Sequence, residues 1–199
     1  SFYPTKNLGG MGDGGMIVTN DEELEDRLRL YSGHGMRPRY YHKVIGINSR
    51  LDSMQAAVLN VKINHLDDAV SGRQKNANLY HELFAQSGLS GEITLPEAKY
   101  GDGHVWNQFT IRVHGGKRDE LKAFLGERNI GSEIYYPVPL HMQECFRSLG
   151  YQPEDLPETL KASQQVLSLP IFPELESEEV RIVVDGVKQF FAMTQRRAA

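Results

Sequence analysis

The chain has few of the features that mark secreted, membrane or nucleic-acid-binding proteins. Its 199 residues include one cysteine, Cys145, so an internal disulfide is excluded and a reducing compartment is favoured. No apolar run approaches the roughly 18 residues of a membrane span, and SFYPTK has neither the basic start nor the apolar core of a signal peptide. The net charge of -4 argues against nucleic acid or an anionic membrane as the main partner. These absences predict a cytoplasmic protein.

The composition is that of a soluble globular protein, with 40% hydrophobic and 24% charged residues. A chain of this length can form one good core, or one small domain and part of another. Cys145 could be a nucleophile, but a lone cysteine in a mixed segment such as HMQECFRSLG is more often inert.

The first half of the chain predicts a strand, a helix, a polar loop and a long helical stretch. MIVT, residues 16–19, is a short apolar run typical of a buried strand. Asp21 offers an N-cap for the helix in DEELEDRLRLY, and Gly33 marks its end. After a loop with Arg, Tyr and His residues, helical spacing begins at Asp52 and stops at Ser87-Gly88.

The second half predicts a small α+β domain. QFTIRVH alternates three apolar residues on one face and therefore predicts a half-buried strand. KRDELKAFLGERN predicts a helix, IGSEIYYPVPL a strand that ends at two prolines, and PETLKASQQ a short helix before VLSLPIF. A capped terminal helix is expected from Ser177.

These patterns divide the chain into three parts. Residues 1–51 are predicted to be the end of a large α/β domain, residues 52–87 a connecting helical segment, and residues 88–199 the small domain. One strand followed by one helix cannot bury both faces of a sheet, so we expect the beginning of the large domain to be absent.

The glycine-rich stretch after Lys6 contains a literal G-x-G-x-x-G, from Gly10 to Gly15, but its context contradicts a dinucleotide site. That motif follows a strand and opens a helix, whereas here an apolar strand is predicted to follow the glycines. A Walker loop is excluded because no Gly-Lys-Ser/Thr follows. Instead, the glycines would let backbone pass close to a neighbour, with Lys6 presented in front of them. Lys6 is then either a Schiff-base nucleophile or, as most single lysines are, a solvated surface group.

Four segments of the chain resemble a known family. SFYPTKNLGGMGDGG resembles the lysine segment of the DegT/StrS sugar aminotransferases, which are pyridoxal-phosphate enzymes of the aspartate-aminotransferase fold, fold type I. The similarity continues in GINSRLDSMQAA, NIGSEIYYPVPLH and VLSLPIFPEL, in the family's order. The resemblance implies an α/β fold, namely the C-terminal part of a PLP-dependent aminotransferase with the end of its large domain, a connecting helix and its small domain.

The resemblance also implies roles for three residues in the first half of the chain. Lys6 would form the Schiff base with pyridoxal phosphate and move protons during the transfer. Asn48 would bind the cofactor phosphate, reaching across a dimer interface, although its context also suits a turn residue. Arg50 would meet the nucleotide-sugar diphosphate, which suits a planar guanidinium. Asp13 would fix the turn after Lys6.

Four further residues are implied as substrate contacts. Tyr135 and Tyr136 match a pair that lies along the nucleotide or sugar, although the first is often His in relatives. His141 would line the mouth of the site or have a structural role. His42, beside two tyrosines, would line the substrate entrance or belong to an ordered loop. No metal site is predicted.

The implied activity moves an amino group from glutamate, or alternatively from glutamine, to a nucleotide-linked keto sugar. Pyridoxal and pyridoxamine phosphate would alternate, and a homodimer would share its active sites. Products of this kind serve surface polysaccharides or glycosylated metabolites. Two alternatives stay open. Dehydratases of the family carry another residue at the lysine position, so Lys6 argues against them. The second alternative is a regulatory chain or an incomplete and inactive fragment, because part of the cofactor pocket is missing here.

Overall fold

The chain forms two units, and the computed structural model describes residues 1–198. The first unit spans Ser1–Asp67, and the second begins at Asp68. The helices are α1 (Glu22–Ser32), α2 (Ser53–Lys62), α3 (Leu66–Ala85), α4 (Arg118–Gly126), α5 (Pro157–Gln165) and α6 (Ser177–Ala198). The strands are β1 (Ile93–Thr94), β2 (Phe109–Val113) and β3 (Val166–Leu169).

Helix α1 begins and ends where the capping pattern predicts. The Asp21 carboxylate accepts a hydrogen bond from the Leu24 N–H at 3.0 Å, and three glutamates occupy the first turn. Both features favour a helix N-terminus, because they satisfy free N–H groups and oppose the helix dipole. At the other end the Gly33 N–H donates to the Arg29 carbonyl at 3.2 Å. The prediction of this helix is confirmed.

The predicted strand at residues 16–19 is wrong. No described residue pairs with this segment, and its apolar side chains are exposed, with Val18 82% accessible. An extended segment becomes a strand only when a neighbour accepts and donates its ladder hydrogen bonds. An apolar run predicts burial but does not by itself supply that neighbour.

The predicted helical stretch after Asp52 is confirmed as two helices. Asp52 stands at the N-cap of α2 without a side-chain hydrogen bond, and a 3₁₀ turn, Ile63–His65, leads from α2 into α3. The boundary between the two units lies at the start of α3. The division into 1–51, 52–87 and 88–199 stays a prediction.

The second unit contains an antiparallel sheet in the order β1-β2-β3. Strand β2 pairs Phe109 with Leu169 and Ile111 with Leu167, and its alternate side chains are buried as predicted. Strand β1 was not predicted, because two residues are too few for a period-two pattern to be visible.

One hydrophobic core fills the second unit. Phe109 stacks on Tyr80 with ring centroids 4.6 Å apart, and the Tyr80 hydroxyl donates to the Pro170 carbonyl at 2.9 Å. Burial, followed by the charge of Glu179, raises the pKa of Tyr80. In α4, Leu121 and Leu125 are fully buried in this core, and the partly buried Phe124 packs against it. The core also holds residues of α6: Val180, Val183, Val184, Val187, Phe190 and Phe191.

The predicted strand in IGSEIYYPVPL is also wrong. Glu133 alone forms a bridge, exchanging backbone hydrogen bonds with Ser168 at 3.1 and 2.7 Å. Before the prolines only Glu133 pairs with β3, and Pro137 and Pro139 have no N–H with which a ladder could continue. The segment therefore lies beside β3 at one residue and then leaves the sheet.

Helix α6 starts at Ser177 as predicted, but the side chain that caps its N-terminus is a glutamate. The Glu179 carboxylate accepts a hydrogen bond from the Glu176 N–H at 2.8 Å, which is half of a capping box. Among the described helices, none combines the length and the apolar character needed to span a membrane.

Candidate active site

Lys6 ends a tight turn. Its N–H donates to the Tyr3 carbonyl at 2.9 Å, which closes a β-turn with Pro4 at the second position, where proline is favoured. The Lys6 side chain is exposed, and no other described residue forms an ion pair or hydrogen bond with its ammonium group. The turn therefore presents a primary amine that is accessible to a carbonyl compound.

The backbone on both sides of this turn is tied into a closed loop. The Phe2 N–H donates to the Gly14 carbonyl and the Gly10 N–H donates to the Phe2 carbonyl, each at 2.8 Å. A Cβ at Gly9 would lie 2.8 Å from the Tyr3 carbonyl oxygen and closer still to the Pro4 carbonyl oxygen. Only glycine fits at that position, because the neighbour is rigid backbone. The close approach expected of the glycines is confirmed at Gly9, where the neighbour is the lysine turn itself.

The expectation that Asp13 fixes the turn is wrong. Its carboxylate is exposed and has no hydrogen-bond partner among the described residues. A face of α2 holds the loop instead. The Gln55 side-chain oxygen accepts from the Met11 N–H at 2.8 Å, and the Lys62 ammonium donates to the Gly9 carbonyl at 2.6 Å. Neither residue was predicted, because nothing in the sequence indicates which face of α2 meets the loop.

Asn48 and Arg50 lie at the end of the polar loop that follows α1. The backbone of Asn48 forms an antiparallel bridge with Gly33, so the loop returns alongside the end of α1. The Arg50 Nε lies 3.4 Å from the Asn48 side-chain oxygen, and both side chains are exposed. The structure brings together these two predicted residues, an amide and a guanidinium, which are groups that bind oxyanions.

His42 lies in the same loop, and its ring is turned toward the backbone of His34. Its Nδ1 is 2.9 Å from the His34 carbonyl oxygen, which favours the tautomer with the proton on Nδ1. Among the described residues no hydrogen bond or ion pair connects Lys6 with His42, Asn48 or Arg50.

The loop is also joined to the middle of α1 by an ion pair. An Arg37 guanidinium nitrogen lies 2.8 Å from the Asp26 carboxylate. The hydrogen bond from Arg37 lowers the pKa of Asp26, and the same bond raises the pKa of Arg37. Both groups are exposed, so the pair contributes little free energy but restricts the loop.

Tyr135 and Tyr136 are exposed in the second unit, with ring centroids 5.4 Å apart. The segment before them is anchored at Glu133, whose carboxylate accepts from the Lys122 ammonium at 2.6 Å and from the Ile134 N–H at 2.8 Å. The bond from Lys122, and then that from Ile134, lowers the pKa of Glu133. The pair of rings is an aromatic surface on which a base or sugar could stack.

His141 is the one predicted site residue that is buried. It lies in a 3₁₀ turn, Leu140–Met142, with its ring edge-on to Tyr151 at 6.2 Å between centroids. Its Nε2 is buried and has no hydrogen-bond partner among the described residues. A buried nitrogen of this kind is costly unless a further group satisfies it.

Comparison with known proteins identifies the family. Over residues 1–188 the sequence matches the DegT/DnrJ/EryC1/StrS aminotransferase family, which is most of the chain. The chain belongs to this family. The resemblance inferred from its four segments is therefore confirmed.

Two curated relatives show how much of a family member the chain covers. A protein of Geobacillus stearothermophilus named "pleiotropic regulatory protein" is 50% identical over 191 residues, which are 96% of this chain and 50% of that protein. The dTDP-3-amino-3,4,6-trideoxy-alpha-D-glucose transaminase of Streptomyces venezuelae is 43% identical over 190 residues, 96% of this chain and 49% of the transaminase. The chain spans about half the length of the curated relatives it matches.

A solved structure of the family confirms the fold. NtdA of Bacillus subtilis, crystallised with its cofactor PMP, superposes with a TM-score of 0.81 at 33% sequence identity. The match covers 93% of this chain and 43% of NtdA. The predicted fold class, a mixed α/β aminotransferase fold, is therefore confirmed.

Aminotransferases of this family depend on pyridoxal phosphate, and the residues of this chain fit that group. Lys6 supplies an unpaired, exposed amine for its aldehyde. Asn48 and Arg50 supply, 3.4 Å apart, an amide and a guanidinium of the kind that binds phosphate.

Proposed function

We propose that this chain acts as a PLP-dependent aminotransferase that moves an amino group from glutamate to a keto group on a nucleotide-linked sugar. The observation that supports it most is the Lys6 amine, exposed and unpaired on a closed loop, in a chain that matches an aminotransferase family over residues 1–188. A relative with 43% identity is named as a sugar transaminase. A cytoplasmic location suits a chain with one cysteine.

Lys6 has two tasks in this proposal. Pyridoxal phosphate, when bound, supplies an aldehyde for amines and an electron-poor ring that stabilises negative charge. Lys6 would hold the cofactor covalently through its Nζ. The same Nζ would accept a proton from the substrate carbon and return it at the neighbouring carbon, as a general base and acid. The turn at Pro4 and the close packing of Gly9 keep the backbone of Lys6 in one place during both tasks.

The remaining predicted residues are proposed to bind rather than to react. Asn48 would hold the cofactor phosphate and Arg50 the diphosphate of the substrate, because an amide and a guanidinium both donate to oxyanions. The exposed rings of Tyr135 and Tyr136 would stack along the nucleotide or sugar. His42 and His141 are proposed to line the entrance, His141 with the Nε2 that lacks a partner among the described residues.

Covalent capture tests the role of Lys6. The polypeptide should be purified as the cell makes it, incubated with pyridoxal phosphate, reduced with borohydride and mapped by peptide mass. We expect the added mass on Lys6 and its loss in Lys6→Ala. Lys99→Ala, another exposed lysine, is the matched control and should keep the adduct. An adduct spread over surface lysines, unaffected by Lys6→Ala, would refute the proposal.

Isotope transfer tests the reaction itself. With [15N]glutamate as donor, the label should appear in the amino sugar formed from a dTDP- or UDP-linked keto sugar. Substrates with the ketone at C3 and at C4 should be compared. Transfer from [15N]glutamine that exceeds transfer from glutamate would correct the donor. No transfer to any of these sugars, with Lys6 modified as expected, would refute the substrate class.

A regulatory role is the second candidate, because the relative with 50% identity carries the name of a regulatory protein. In that case the fold would serve ligand sensing or dimerisation without catalysis. Complementation of a deletion strain distinguishes the two: Lys6→Ala should fail if transamination is the function, and should restore the phenotype if the role is regulatory.

We also propose that the protein is a homodimer with shared active sites. Ile45 and Ile47, close in sequence to Asn48, are exposed by 97% and 65%, as an interface in the dimer would explain. Mixing inactive Lys6→Ala and Asn48→Ala subunits should restore about one quarter of the activity, because half of the dimers then contain one intact site. A monomer in solution, or no recovery on mixing, would contradict the shared site.

A further inference from the structure

We infer that helix α2 positions Lys6 through two side chains, Gln55 and Lys62, that fasten the glycine segment, residues 9–15. The functional part of this inference depends on the proposed role of Lys6, whereas the structural part does not. Gln55 and Lys62 do not touch Lys6. They act through the backbone that follows it and are therefore positioning residues.

Gln55 contacts the glycine segment at three successive positions. Its side-chain oxygen accepts from the Met11 N–H at 2.8 Å. The same oxygen lies 2.8 Å from where a Cβ on Gly10 would be, and its amide nitrogen lies 3.0 Å from the corresponding point on Gly12. Side chains at positions 10 and 12 would approach the Gln55 amide too closely and force it to shift. The two glycines therefore leave room for Gln55 to reach the backbone.

Lys62 provides the second attachment. Its ammonium donates to the Gly9 carbonyl at 2.6 Å, which makes a charge-assisted hydrogen bond. Gln55 and Lys62 are separated by two helical turns and lie on one face of α2. Helix α2 is thus hydrogen-bonded to the glycine segment at Gly9 and at Met11, on the two sides of Gly10.

These two hydrogen bonds act on Lys6 through close backbone packing. Gly9 lies against the carbonyls of Tyr3 and Pro4, the residues that open the turn ended by Lys6. If Gly9 and Met11 were released, the turn would lose the surface against which it packs. A reacting group must be held to within about 0.5 Å, and a lysine side chain has four flexible bonds of its own. Fixing its backbone prevents movement of the main chain from adding to the freedom of the side chain.

Amide hydrogen exchange tests the structural part without the cofactor. The polypeptide should again be used as the cell makes it. In Gln55→Ala we expect exchange in a peptide covering residues 9–12 to accelerate about tenfold, the effect of losing one hydrogen bond. Gln55→Glu keeps an acceptor oxygen and should restore most of the protection. Asn60→Ala is the control, since this exposed amide of α2 has no side-chain partner among the described residues.

A double substitution makes the test specific to the contact. Gly10→Ala places a methyl group 2.8 Å from the Gln55 oxygen, too close for the amide to stay in place, so alone it should raise exchange as much as Gln55→Ala does. Combined with Gln55→Ala it should add little, because the obstructing side chain is gone. Additive effects would overturn the inference. Lys62→Met, which keeps the length of the side chain, provides an independent variant should Gln55→Ala fail to fold.

The functional part is measured by attachment at Lys6. Gln55→Ala and Lys62→Met should each lower the equilibrium constant for attaching pyridoxal phosphate about fivefold to tenfold, and Gln55→Glu should restore it. Unchanged attachment with faster exchange would overturn the positioning role. Acceleration of exchange throughout residues 1–67 would show a merely structural role. If the unchanged protein attaches nothing at Lys6, the proposed function fails, while the exchange data still decide whether α2 holds the glycine segment.

Discussion

Each of the two units of this chain is stabilised internally by a different kind of contact. The second unit has a core of buried aliphatic and aromatic side chains around β2, including Phe109 and Ile111 with no accessible surface. In the first unit, Leu59 is the one buried hydrophobic side chain among the described residues. The lysine turn there is held by backbone hydrogen bonds, by glycines packed on backbone, and by Gln55 and Lys62.

This difference shows where precision and where stability come from. Burial of apolar area contributes much of the free energy of folding but has no preferred direction. A hydrogen bond or a close glycine contact, in contrast, specifies the position of an atom within tenths of an ångström. The reactive amine lies in the unit shaped by specific contacts. The unit with the core presents exposed tyrosines on a segment anchored to α4 through Glu133. Four substitutions test this contrast, and three of them have a matched control.

The largest effect is expected at Phe109. Phe109→Ala removes a fully buried ring that stacks on Tyr80, and should lower the free energy of unfolding by about 3–5 kcal/mol. Ile17→Ala in the first unit should change it by less than about 0.5 kcal/mol, because Ile17 is exposed. Urea unfolding followed by circular dichroism measures both. Equal losses would contradict the contrast between the units.

The second effect concerns Arg73, which donates hydrogen bonds to backbone carbonyl groups at the edge of the core. One guanidinium nitrogen donates to the carbonyls of Trp106, Asn107 and Ile171 at 2.8–3.3 Å. Burial lowers the pKa of Arg73, opposed by Glu174. Arg73→Met should cost about 2 kcal/mol, because buried carbonyls lose a charged donor.

The control for Arg73 is Arg29→Met, which removes an exposed ion pair with Glu25 on α1. It should change the free energy of unfolding by less than about 0.5 kcal/mol. A loss at Arg29 as large as that at Arg73 would show that charged surface contacts, rather than buried ones, stabilise the chain.

The third effect separates two glycines of one segment. Gly9→Ala drives a methyl group into the Tyr3 and Pro4 carbonyls and should open the loop, raising exchange in residues 2–14 tenfold or more. Gly15→Ala meets no atom within 4 Å and should be neutral. Hydrogen exchange by mass spectrometry measures both variants. A neutral Gly9→Ala would show that the close packing does not hold the turn.

The smallest effect depends on pH. The hydrogen bond from Lys122 lowers the pKa of Glu133 below its ordinary 4.5. The ionised Glu133 therefore stabilises the fold at pH values above 4.5, and this stabilisation is lost as the pH falls through the lowered pKa of the folded protein. Glu133→Gln should therefore lower stability slightly at neutral pH and make no difference at about pH 2. Unfolding in urea at both pH values checks this. An equal difference at both would assign the effect to packing rather than charge.

The helices and the central strand could be predicted because their signals are local. Asp21 and Gly33 cap α1 through atoms within a few residues, and the period-two pattern in β2 directly reflects its buried face. The lysine was recognised from the motif around it. The two strands predicted at 16–19 and 130–140 failed, because a strand requires a partner that supplies and accepts hydrogen bonds.

The sequence by itself determined the family, the helices and the residue types available for chemistry: an amine at Lys6, an amide at Asn48 and a guanidinium at Arg50. Only the tertiary structure decided how the lysine turn is held. The bond from Met11 to Gln55 joins residues 44 positions apart, and that from Lys62 to Gly9 joins residues 53 apart. Such contacts depend on which helix face meets which loop. That choice is set by packing over the whole unit, which no local pattern encodes.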